Sequence, residues 1–257
     1  MTYIKKALVL PVLVAMIFVL GFSAQNAMAA SSTVSDKISC EAPSVGGVWT
    51  SLTSKCTVAT LVIGPGDTLI VASNVNFNIG TVTSSGVIQN DGKIRLNNGG
   101  VITTSGTFTN NGYIYNFGGT ITNSGPFNNF GKMISTGVIT NGPTGTITSN
   151  GKISSTGTIT SSGSIIITSF GKLSNNGNGI LTNTLNMVNN GAIITQGTFT
   201  NSGPVMNTGL VTNEGLITNS NTITNTFGNI FNLCGGSITN SGTISGNTVN
   251  NICVALA

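Results

Sequence analysis

The chain has 257 residues, no histidine, and only nine Lys+Arg against five Asp+Glu. Charged residues make up 5% and hydrophobic residues 39%. That balance excludes the basic excess of a general nucleic-acid binder and the charge-rich, apolar-poor composition of a disordered chain.

The N-terminus reads as an export signal. Lys5 and Lys6 precede an apolar run over residues 7–24, and Ala27, Met28 and Ala29 give the small-x-small pattern of a cleavage site. Residues 1–30 are therefore assigned as a signal peptide. The alternative, an uncleaved anchor, is disfavoured by Pro11 within the run. Cleavage removes Lys5 and Lys6 and leaves seven cations against five acids, a net charge of +2. No second run of spanning length follows, so no membrane span is expected in the mature chain.

Residues 31–56 are expected to form an N-terminal cap that includes Cys40, Cys56 and the only tryptophan, Trp49. Export permits disulfides. Residues 57–80, TVATLVIGPGDTLIVASNVNFNIG, read as an irregular first coil. The remaining chain is periodic. Glycines recur about every six residues, as at 125, 131, 137, 145, 151, 157 and 163, and two positions after most of them stands one apolar residue between polar neighbours. Such a unit predicts a three-residue strand with its centre turned inward. The Asn and Gly that follow are expected at corners, where both accept the left-handed conformation.

A longer period lies above this one. Gly92, Gly112, Gly131, Gly151, Gly171 and Gly191 are spaced by 19 or 20 residues. Three short strands per such interval describe one coil of a three-sided solenoid. The fold class is therefore all-β: a single-stranded, three-sided parallel β-helix of about nine coils of 18–20 residues between positions 81 and 250. Its length is roughly 40 Å, and the β-helix domain is placed at residues 57–257. Three inward columns follow. They run from Val82 through Ile121 to Ile238, from Ile88 through Phe127 to Ile244, and from Ile94 through Met133 to Val249. Asparagine also recurs, at Asn110, Asn116, Asn123, Asn201, Asn207, Asn213, Asn219 and Asn225. Stacked at the corners, these side chains are expected to bond amide to amide along the rod.

Cys234 follows Ile230 by four residues and Cys253 follows Val249 by four, so the two lie one coil apart. Stacking at about 4.8 Å places them within disulfide reach. A Cys234–Cys253 bridge is expected to staple the last coils, and by elimination Cys40 pairs with Cys56.

Runs such as LVIGPGDTLIV, GTITNSG and NGKI resemble the parallel β-helix repeats of filamentous-haemagglutinin-type and autotransporter-passenger adhesins, over residues 57–252. The resemblance implies a right-handed coil and a role at the cell surface. The chain departs from that family in being far shorter and in showing no membrane barrel or secretion domain.

The chemistry of an enzyme is not expected. The acids are scattered singly, whereas β-helix glycosidases need clustered carboxylates. Asp91, near Lys93 and Arg95, reads as a solvated corner charge. No catalytic, metal or cofactor site is expected. Two surface features remain. Lys93, Lys132, Lys152 and Lys172 hold equivalent places in their coils, with Tyr113 filling the gap and Arg95 adjacent. This stripe reads either as a contact for an anionic glycan or cell surface, or as a solubilising face that discourages lateral pairing. The second feature is a column of Thr83, Thr103, Thr122, Thr140, Thr160, Thr182, Thr200, Thr218 and Thr239. It resembles the Thr-rich faces of ice-binding solenoids, although Val101, Val138, Ile180 and Leu216 interrupt the neighbouring column on alternate coils. Three roles follow: a secreted or cell-surface structural or adhesive protein that mediates attachment or matrix formation; the subunit of an extracellular filament, by end-to-end self-association; or an ice binder. No nucleic-acid partner is expected.

Overall fold

The computed structural model describes residues 31–253. The expected signal segment, residues 1–30, lies outside the described residues. Strands stack coil upon coil in parallel, in an 11-stranded sheet and a 19-stranded sheet. The smaller sheet is one face of the solenoid. The larger contains the other two, because β3 (Lys55–Ile63) and the strands Asn76–Ser84 and Lys93–Thr104 run unbroken around one corner. There are about ten coils, the irregular first coil included.

The three inward columns pair in the expected register along the whole rod. Val82 pairs with Ile102, Phe108 with Phe127 and Ile230 with Val249, with no slip where the glycine spacing stretches between 163 and 191. These side chains are the core, and the rings of Phe108 and Phe127 stack at 4.7 Å. One face thus buries one large apolar side chain per coil, roughly 1.5–3 kcal/mol each.

Two local expectations are corrected. Most strands have four residues rather than three, and the fourth residue also points inward. That residue is usually Asn, Ser or Thr, so the asparagines are interior rather than exposed at corners. Asn90 Nδ2 donates to Asn110 Oδ1 at 2.6 Å, and Asn110 in turn to Asn129 at 2.7 Å. The same link joins Asn183 to Asn201 and Asn201 to Asn219, at 2.8 and 2.7 Å. The second amide proton often reaches a backbone carbonyl across the corner of the next coil, as from Asn189 to Leu210 at 2.9 Å. A buried amide is tolerated only when its partners are supplied, and here each coil supplies them to the next. The cost shows where a ladder begins: the side-chain oxygens of Asn90, Asn183 and Asn189 are buried without a hydrogen-bond partner.

The second correction concerns glycine. The repeating corner glycines do not use the left-handed region; among the described residues positive φ occurs at seven glycines, such as Gly66 and Gly99, mostly in the longer turns, and at Ser54. The repeating ones are needed for close approach. A methyl group at Gly131 would fall on the carbonyl oxygen of Gly112, far inside 3.0 Å. That carbonyl is already occupied, accepting the Lys132 N–H at 2.9 Å.

A cap closes the N-terminal end. β1 (Ser32–Val34) pairs with Leu69–Val71, α1 (Lys37–Glu41) follows, and β2 (Val48–Thr50) pairs antiparallel with β3. Val34, Cys40 and Val45 are buried against the first coil. Asp36 caps α1, accepting the Ser39 N–H at 2.9 Å, and this bond with that of the Ser39 hydroxyl holds its carboxyl below the ordinary value. Cys40 is bonded to Cys56 with Cα atoms 5.7 Å apart, and Cys234 to Cys253 with Cα atoms 4.8 Å apart.

Three outcomes test this architecture. Gly131→Ala should lower stability by about 1–3 kcal/mol or more in urea denaturation, because backbone cannot retreat as a side chain can. Asn201→Ala strands the amides of Asn183 and Asn219 and should cost at least about 2 kcal/mol by the same measurement. Replacing Cys234 and Cys253 by Ser should accelerate amide exchange in residues 237–252 while the earlier coils stay protected, since closing a loop of this size contributes about 3 kcal/mol.

Candidate functional site

Outward positions repeat on each face as strictly as the inward ones. On the third face, the first outward position of successive strands is Lys55, Asn76, Lys93, Tyr113, Lys132, Lys152, Lys172 and Ala192. The stripe expected from sequence is therefore in register. The next outward position carries Asn78, Arg95 and Tyr115 in line.

Arg95 is held in place. Its Nε donates to Asn97 Oδ1 at 3.0 Å, and its guanidinium lies 4.9 Å from the centre of the Phe117 ring. The rings of Tyr113, Tyr115 and Phe117 follow one another along the strand at 5.9 and 5.7 Å, nearly parallel. Beside them an open groove of about 620 Å³ is lined by Thr53, Lys55, Asn76, Asn78, Lys93, Arg95, Asn97 and Tyr115. Its lining holds three cations, three amides and an aromatic edge, and no carboxylate. Asp91 stands apart, accepting from Gln89 at 2.8 Å and Asn111 at 2.7 Å.

Lys55, Asn76, Asn78 and Asn97 were missed by the sequence reading. The first coils depart from the period, with Lys55 and Asn76 separated by 21 residues and Asn76 and Lys93 by 17. Only the register of β3 with its neighbour aligns them.

The threonine column is also in register, from Thr83 paired with Thr103 to Thr218 paired with Thr239. Its neighbouring column alternates Thr81, Val101, Thr120, Val138 and Thr158. This first face is uncharged and mixes hydroxyl with methyl groups. The four cysteines lie in the two bridges.

Residues 57–112 match the haemagglutinin repeat family. The matched stretch includes Asn76, Asn78, Lys93, Arg95 and Asn97 from the groove. No curated protein and no solved structure matches the chain. Haemagglutinin repeats and a disulfide-bonded parallel solenoid fit an adhesin-like structural protein of the extracellular or surface class. Among the described residues no helix is long and apolar enough to cross a membrane.

Stacked lysines about 4.8 Å apart repel one another across the strands. Lys152, between Lys132 and Lys172, feels both neighbours. Lys152→Thr should therefore raise stability by a few tenths of a kcal/mol at low salt, and the gain should vanish near 1 M salt, as followed by thermal unfolding.

Proposed function

We propose that this chain is a non-enzymatic extracellular adhesive solenoid, whose third face attaches to anionic glycans on a cell surface or in a matrix. The groove carries the reading: Lys55, Lys93 and Arg95 converge beside Asn76, Asn78, Asn97 and Tyr115 with no acid among them. Fixed guanidinium and ammonium groups recognise sulfate or carboxylate. Amides match sugar hydroxyls, and a tyrosine face suits the apolar side of a pyranose. A glycosidase would need a pair of carboxylates, and the groove's lining includes none.

The other two readings are less well supported. Buried cap residues cover the N-terminal end of the core, which opposes filament growth through that end. The Thr column is interrupted on its flank by Val101, Val138, Ile180 and Leu216, which weakens a match to the regular lattice of ice.

The test is binding of the purified, disulfide-intact protein to immobilised sulfated and neutral polysaccharides. The sulfated ligand should be retained preferentially and released by salt. Replacing Lys55, Lys93 and Arg95 by Gln should weaken binding at least about tenfold without changing the circular dichroism spectrum. Equal retention of the variant and the unaltered protein would remove this reading.

A further inference from the structure

We infer that the corner leading into the third face is a docking edge for an anionic lipid bilayer. At this corner the chain turns from the second face into the lysine-bearing strands. In most coils the turn is two residues, ending in the stacked glycine, as in Asn111-Gly112 and Asn150-Gly151. Three coils place phenylalanine immediately before that glycine: Phe130, Phe170 and Phe227. Their side chains are turned out to solvent, at 55%, 85% and 80% exposure. The solenoid does not require this. In two of the three coils the corner is lengthened to present the ring: Phe170 rides on a four-residue turn closed by the Gly171 N–H to Thr168 carbonyl bond at 2.8 Å, and Phe227 on a three-residue turn. Coil stacking then brings the three rings to the same corner of the rod.

Charge identifies the occupant. Two residues after Phe130 and Phe170 stand Lys132 and Lys172, and Lys152 lies between them in register. From residue 92 to residue 213 the chain has five cations and no Asp or Glu. On the other side of the corner, the outward residues Ile166, Val188 and Met206 also stack in register. The edge is thus an apolar ridge flanked in three successive coils, from Phe130 to Phe170, by the ammonium groups of Lys132, Lys152 and Lys172. A soluble partner with an acidic patch would satisfy the lysines but not three exposed rings at one corner of the rod. A bilayer satisfies both. The rings enter the boundary between headgroups and acyl chains, and the ammonium groups meet lipid phosphates, which also relieves the repulsion within the lysine row. The rod would lie along the membrane plane. The inference shares Lys132, Lys152 and Lys172 with the proposed glycan face but does not rest on glycan binding.

The test is vesicle flotation with the full disulfide-intact protein, using phosphatidylcholine vesicles with and without roughly one-third phosphatidylglycerol. The protein should float with the anionic vesicles only, and less so as salt rises. Replacing Phe130, Phe170 and Phe227 by Ser, all at exposed positions that leave the core intact, should weaken partitioning at least about tenfold. Replacing Lys132, Lys152 and Lys172 by Gln should weaken it on the order of a hundredfold, from about fivefold per lysine. Retention on sulfated polysaccharide, measured in parallel, should be unchanged in the phenylalanine variant. Absence of flotation alongside intact polysaccharide binding would overturn the lipid inference and leave the glycan reading standing. Undiminished flotation of the phenylalanine variant would equally overturn it, because the rings would then play no part.

Discussion

The structure depends on one constraint: each strand must hydrogen-bond in parallel to the strand one coil away, at about 4.8 Å. Every other feature answers to that distance. Corner backbones must approach so closely that the residue there carries no Cβ, which is why glycine stacks on glycine beneath the lysine strands. A cysteine pair one coil apart has Cα atoms 4.8 Å apart, close enough to bond. A primary amide has a donor and an acceptor at the separation needed to reach its own copy in the next coil, so asparagine can line the interior in links of 2.6–2.9 Å.

The same constraint shapes the surface. Register holds outside as well as inside, so an outward position that keeps one residue type becomes a stripe. On the first face this gives threonine and on the third face lysine interrupted by tyrosine, while the corner between the second and third faces carries phenylalanine in three coils. A charged stripe costs some stability through repulsion, whereas a mixed one would not. The lysine row therefore has an energetic disadvantage within the isolated rod, which contact with an anionic surface removes. The haemagglutinin-type repeat over residues 57–112 fits an adhesin-like structural protein, and the stripes of the rod suit extended surfaces better than small pockets.

Much of this was legible in the sequence, for a physical reason. When one large apolar residue per strand is buried and each coil has nearly the same length, the core column is spelled out in the chain. Val82, Ile88 and Ile94 and their successors could be placed by counting alone. The groove was not legible, because Lys55, Asn76 and Lys93 lie in coils of unequal length and only strand register brings them together. The role of glycine was misread, because conformational freedom and lack of bulk leave the same mark on a sequence.

The sequence by itself determined the coil number, the three faces, the register of lysine and threonine, and the cysteine pairs, since each depends only on spacing. The tertiary structure alone decided which polar residues are inside. Nothing in the composition distinguishes Asn110, buried in the ladder, from Asn111, exposed beside it. The difference arises from the direction each side chain takes: the first turns inward to a matching amide in the next coil, and the second turns outward, to Asp91 and solvent. Likewise, only the folded chain shows that Phe130, Phe170 and Phe227 share an edge, because the residues inserted at the corners of Phe170 and Phe227 break the period that would have aligned them.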